Sequence, residues 1–202
     1  MPHERRPSGE AHAPAPQRQQ QRAPPRRLSR SVACTHDGAP KEEERPMARR
    51  DPAVAEGLAA ILEQLSHWAT KDAARTPMQS PGEPAMTIAE YTTSWYSSGV
   101  FASESLVLAL VYIDRLTRRH PELEVAPSTC QRLLASCLLL AAKHHQEHHY
   151  SNSFYADLFS LGVQELNHLE RFALIVLDYE LFVDHREFGS YRRIVLKAKG
   201  NR

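Results

Sequence analysis

Between Lys143 and Tyr150 the chain reads His144-His-Gln-Glu-His-His149, four imidazoles and a carboxylate in six positions. These are zinc-ligand residue types, and the run contains H-x-x-E-H, the inverted-zincin pattern, with His144 and His148 one turn apart if the run is helical. A catalytic zinc centre also needs a third protein ligand and a cleft that orients a water. Surface histidines also pick up metal adventitiously. Because the run follows a buried helix and precedes Tyr150 and Asn152, a solvated loop without a resident metal is expected, its rings titrating near pH ~6.5.

Asp114 and Arg115 could serve as an acid and an anion clamp. In the C-terminal half of a helix such neighbours more often make structural pairs, and that is the expectation here. Cys130 and Cys137 stand seven apart on one helix, about 10.5 Å along its axis, which is beyond disulfide reach. Cys34 is the remaining cysteine. Reduced thiols are expected, in a cytoplasmic or nuclear chain. No Gly-rich phosphate loop, nucleophile elbow or Cys-x-x-Cys pair occurs, so nothing supports an enzyme and no cofactor is expected.

The elements that must position these residues are helical. From Leu133 to Ala142 only Ser136 is polar, so the helix from about Ser128 to Lys143 must be surrounded by others. Its apolar run, roughly 15 Å long, is too short to cross a bilayer. It reads as the central post of a helical bundle, with Leu139 in the core. Leu139→Ala should cost ~2–5 kcal/mol. Asp51-Pro52 opens a first helix to about Ala69, with Val54, Leu58, Ile61, Leu62 and Leu65 as its apolar stripe. Thr87 and Glu90 form a capping box for Ile88 to about Ser97. Ser103 is read as the cap of Glu104 to about Arg119, which His120-Pro121 ends. A brief helix spans about Asn152–Phe159. The next, about Gln164–Tyr179, has the stripe Leu166, Leu169, Phe172, Ala173, Val176 and Leu177. Arg186 to about Lys197 is read as a final helix, and Leu181-Phe-Val183 is at most a short extended link. The fold class is all-α.

The 202 residues divide unevenly. Residues 1–50 hold 8 of the 14 prolines and 11 Lys/Arg against 6 Asp/Glu, whereas residues 51–202 hold 14 against 18. With few large apolar side chains (Leu28, Val32, Met47), the first stretch cannot offset the entropy of ordering and is expected to be a disordered basic tail. It lacks interleaved aromatics, so specific nucleic-acid binding is not expected. No secretory h-region follows the first methionine, and no membrane association is expected. The remaining roughly 150 residues suit one domain: a helix and Pro-rich linker at 51–84, a helical core at 85–183, and a terminal helix at 184–202. Thr76-Pro77 and Ser80-Pro81 are minimal proline-directed phosphorylation sites in a linker read as flexible, and Arg26-Arg-Leu-Ser29 is a basic-directed one.

At Val111-Tyr-Ile-Asp-Arg-Leu116, Ala141-Ala-Lys143, Tyr150-Ser-Asn-Ser-Phe-Tyr-Ala156 and Glu165-Leu-Asn-His-Leu-Glu170 the chain resembles a cyclin. More narrowly it resembles the phosphate-pathway cyclins, the single-box P- or U-type group of plants, over about residues 85–192. The resemblance implies the five-helix cyclin box, with 129–143 as its third helix. It further implies a non-catalytic partner that binds and activates a cyclin-dependent serine/threonine kinase as a heterodimer, in cell-cycle or phosphate-responsive control. Matching family positions place polar kinase contacts on Lys143 and Glu170, with Glu147 from the acidic pair that follows the lysine. The apolar contacts fall on Leu174 and Tyr179. Glu170, Leu174 and Tyr179, spaced by four and five, would share or adjoin a helix face. Protonating the histidines beside Lys143 should then weaken kinase binding below pH ~6.

Three positions depart from the family. The arginine that usually pairs with the aspartate of Tyr-Ile-Asp-Arg is Ser94 here, so Asp114 must find another partner. Arg115 points elsewhere. The double glycine before the fifth box helix is Phe159-Ser160, with Gly162 further on, and the acidic pair after Lys143 is Gln146-Glu147. Two other readings are a cyclin-fold module in transcription without a kinase, like the boxes of transcription factor IIB, and a small zinc hydrolase.

Overall fold

Asp51 turns the chain into its first helix. Its carboxylate accepts from the Ala53 N–H at 3.0 Å and Pro52 takes the first helical position, so α1 runs Pro52–His67. A computed structural model describes residues 50–69, 76–82 and 84–199. The basic stretch with Ser29 and Cys34 lies outside the described residues. Helix α2, Ile88–Ser97, starts from the expected capping box: the Glu90 N–H donates to Thr87 Oγ1 at 3.2 Å, and the Thr87 N–H donates to Glu90 Oε2 at 2.8 Å.

Helix α3 spans Ser103–Arg119, and here the expected cap is corrected. Ser103 is the first helical residue and Ala102 the N-cap, with no side-chain cap bond. The Ser103 hydroxyl instead accepts from the Asp51 N–H at 2.7 Å, joining the starts of α1 and α3. A short buried hydroxyl can satisfy its own helix end or a neighbour's, and the neighbour wins.

Helix α4, Pro127–His145, packs against α1, α2, α3 and α6 and is buried without a break from Leu133 to Ala142. Its lone polar residue in that run, Ser136, donates back to the Leu133 carbonyl at 3.0 Å, so burial leaves the hydroxyl satisfied. Leu139 is fully buried. The helix continues two residues past Lys143, carrying His144 and His145 in its last turn. Helix α5, Asn152–Phe159, and helix α6, Val163–Val176, close around it, and α7, His185–Ala198, packs on α1 and α3. Every element among the described residues is an α-helix apart from short turns, and none of these helices is long and apolar enough to cross a membrane.

The expectation of a flexible linker changes. The linker at 76–82 is anchored, because Met78 is fully buried in the core and the Ser80 N–H donates to the Ser128 carbonyl at 2.7 Å. The Thr76 hydroxyl is buried without a hydrogen-bond partner, so a kinase would reach it only after local opening. At the α5–α6 corner Ser160 itself takes the left-handed conformation, φ 56°, in place of a glycine. The Leu161 N–H then reaches the Ala156 carbonyl at 2.9 Å and closes the helix end.

Candidate functional site

Lys143 is where α4 leaves the core. Its ammonium, in the last turn, suits the negative end of the helix dipole. It donates to Glu170 Oε1 on α6 at 2.6 Å. The other carboxylate oxygen, Oε2, accepts from Asn152 Nδ2 at 2.8 Å, and Asn152 is the first residue of α5. The same amide donates to Asn167 Oδ1, one turn before Glu170, at 2.6 Å. Three helix segments thus converge on one carboxylate. The side chains remain partly open, 30% for Lys143 and 15% for Glu170. One ammonium N–H is engaged, leaving two, and each carboxylate oxygen keeps a lone-pair direction. The couple can therefore take a donor and an acceptor from another molecule without breaking its own bond.

Asn152 was missed as a site residue. The signal was its place at the start of a helix, directly after the cap Ser151, where a side chain reaches across to neighbouring elements.

The positions expected to make apolar contacts, Leu174 and Tyr179, lie at and beyond the end of α6, where the expected helix length is corrected. Leu174 is half-buried one turn beyond Glu170, but α6 ends at Val176 and Tyr179 lies outside it. The Tyr179 N–H donates to the Leu174 carbonyl at 3.0 Å and the Asp178 N–H to the Ile175 carbonyl at 3.0 Å. That pair of bonds is a Schellman closure, with Asp178 (φ 52°) and Tyr179 (φ 58°) both left-handed. Leu177 goes into the core, and the chain must turn immediately to follow it. Tyr179 is consequently 67% exposed, beside Ile175 at 59% and Phe182 at 76%. Phe182 was also missed. Its neighbours Leu181 and Val183 pack on the core while it faces out, a period-two alternation that was legible in the sequence.

Glu147 sits on the exposed bend after α4 and does not join the Lys143–Glu170–Asn152 group. Gln146 turns inward instead, its amide donating to Ser105 Oγ at 3.1 Å and the Val100 carbonyl at 3.3 Å. Gln146 is extended (φ −88°, ψ 136°), so His144 and His148 are not a helical turn apart and the premise of the zincin pattern fails. Among the described residues no group of three or more His, Cys, Asp or Glu is placed to hold a metal ion.

Asp114 and Arg115 diverge. Asp114 Oδ2 accepts from the Tyr191 hydroxyl on α7 at 2.6 Å and from Arg118 Nε at 3.1 Å, which answers the missing arginine at Ser94. Burial, and then this bond, push the Tyr191 hydroxyl up to about 12. Arg115 pairs with Glu187 at 2.7 Å and donates to the Glu180 and Phe182 carbonyls at 2.9 and 3.0 Å.

A protein-family model described as Cyclin matches residues 10–181, most of the chain. The chain belongs to the cyclin family. It is 36% identical to Cyclin-U1-1 of Arabidopsis thaliana over 108 residues, 54% of this chain and 51% of that protein. It is 34% identical to Cyclin-P1-1 of Oryza sativa subsp. japonica over 109 residues, 54% of this chain and 41% of that protein. Cyclin-U4-2 of Arabidopsis thaliana matches over a longer stretch, 24% identical over 158 residues, 74% of this chain and 72% of that protein. The chain thus spans about half the length, or less, of the first two relatives. These matches place it with the plant P- and U-type cyclins, as the four sequence segments implied, and the all-α bundle is the cyclin fold.

Proposed function

We propose that this chain is a non-catalytic regulatory subunit that binds a cyclin-dependent serine/threonine kinase and holds it in its active state. Family membership supports a regulatory role in general. The observation that carries the finer reading is the half-open Lys143–Glu170 couple, braced by Asn152, with Leu174, Ile175 and Tyr179 beyond it on the same helix and its cap. A few polar anchors beside exposed aromatic and aliphatic side chains are what a partner-binding centre needs. Activation requires differential binding: moving a kinase from about 1:99 to mostly active takes ~5.5 kcal/mol of preference for the active state.

The experiment is a binding and phosphorylation assay of the full chain against a panel of purified cyclin-dependent kinase catalytic subunits. A wild-type chain that binds and activates none of them overturns the reading. The double exchange Lys143→Glu with Glu170→Lys keeps an internal ion pair but reverses the charges offered to a partner. Binding should weaken by about thirtyfold or more, ~2 kcal/mol, with helical content unchanged by circular dichroism. Unchanged affinity in that double variant moves the site elsewhere.

A further inference from the structure

The segment 177–182, which carries Tyr179 and Phe182, is irregular, and its carbonyls need donors from elsewhere. One face of α3 provides them, from Tyr112, Arg115 and Arg119, spaced by three and four. The Leu177 carbonyl takes Arg119, the Glu180 carbonyl takes Arg115 at 2.9 Å, the Leu181 carbonyl takes Tyr112 at 2.9 Å, and the Phe182 carbonyl takes Arg115 at 3.0 Å. The guanidinium of Arg115 is itself fixed by Glu187 on α7, and that of Arg119 by Glu180.

Tyr112 makes a second contact. Its ring is fully buried, and its hydroxyl lies 3.1 Å from His145 Nε2, two residues past Lys143. A phenol has one hydrogen, and the Leu181 carbonyl takes it. The phenolic oxygen is left to accept, and His145 Nε2, which also lies 3.2 Å from His144 Nδ1, is placed to donate to it in the tautomer protonated at Nε2. One buried hydroxyl thus joins the end of α4, two residues from Lys143, to the link two residues past Tyr179. The two consecutive left-handed residues Asp178 and Tyr179 fit this picture. Such a backbone is unfavourable for a bulky L-residue and persists only where its surroundings over-determine it.

We infer that Tyr112 and Arg115 are positioning residues that lock the polar half of the partner surface, at the end of α4, in register with its apolar half, Tyr179 and Phe182. This rests on the kinase-binding reading above. The link is thereby set before a partner arrives, so binding does not have to order it. Arg115 needs its planar fork, because an ammonium cannot span the two carbonyls and the Glu187 carboxylate in one geometry.

The test uses the full chain with Tyr112→Phe and, separately, Arg115→Lys. Arg115→Lys is the safeguard if the buried change perturbs folding. Hydrogen exchange of the amides at 178–183 should rise about tenfold in each, while exchange in the middle of α4 stays at the wild-type rate. Affinity for the purified kinase that the wild-type chain binds should fall about tenfold in each variant. Unchanged exchange in the link overturns the inference. So does faster exchange with undiminished affinity, an outcome that leaves wild-type kinase binding, and hence the proposed function, standing. A wild-type chain that binds no kinase overturns the functional reading itself, and the positioning role falls with it whatever the exchange shows.

Discussion

Gly57 on α1 and Val195 on α7 meet backbone to backbone: a Cβ added at Gly57 would stand 2.0 Å from the Val195 carbonyl oxygen. In a helix interior glycine is normally the poorer choice, by ~1 kcal/mol against alanine. Here the sign reverses, because a methyl group cannot coexist with that oxygen and the flanking helices must part. Gly57→Ala is expected to destabilise the domain by about 1–3 kcal/mol net, an overpacking effect. Urea unfolding checks it, and a midpoint at or above wild type would show that α7 moves away without loss.

Ser160 poses the opposite case. Its φ of 56° is left-handed, and open to a residue without a Cβ at less conformational cost. Ser160→Gly should raise stability by roughly 0.5–1 kcal/mol, because the native backbone is strained for serine and relaxed for glycine. Thermal unfolding of the two chains side by side reads this. A lower midpoint for glycine would mean that added freedom in the unfolded chain outweighs the relief.

Asn152 ties α5 to the carboxylate of Glu170 through one amide group. Asn152→Ala removes that donor and the bond to Asn167, leaving Glu170 with Lys143 alone. If the kinase-binding reading is right, affinity should drop about tenfold, ~1.4 kcal/mol, while stability changes by about 1 kcal/mol or less. Isothermal titration against the purified kinase separates the two effects. Equal affinities would remove Asn152 from the site.

Burial, and then the adjacent His144, hold the His145 imidazole below its ordinary value of 6.5. The unfolded chain therefore binds this proton at a higher pH than the folded one. Between 6.5 and the lower folded value the unfolded state carries more protons, so stability falls as the pH falls through that window. The loss in urea midpoint from pH about 7.5 to about 5.5 should be larger for wild type than for His145→Gln, and equal losses would exclude the effect. His145 lies in the last turn of α4, two residues past Lys143, so its protonation brings a positive charge to the helix end that carries Lys143. Kinase affinity is accordingly expected to weaken below pH ~6, and a flat profile between about 5.5 and 7.5 rules this out.

Much of the architecture follows from residues close together in the chain. The caps at Asp51 and Thr87 and the apolar stripes of α1 and α6 are local patterns of donor, acceptor and period. So is the apolar run of α4, interrupted only by Ser136, and each needs only its own turn of helix to take effect. Lys143 and Glu170 were legible as a pair through their place in family-like segments, and the structure sets them 2.6 Å apart.

Other features exist only once the helices have packed. Met78 enters the core from a Pro-rich linker, Tyr191 reaches Asp114 across 77 positions, and Tyr112 reaches Leu181 across 69. Even the end of α6, three residues short of Tyr179, is decided by Leu177 dropping into the core. The amino-acid order by itself determined which segments are helical and which of their faces must be buried, because helix period and capping act over three or four residues. Which distant donors and acceptors meet was decided by tertiary structure, because a buried polar group must find a partner and helix packing alone determines which one lies within reach.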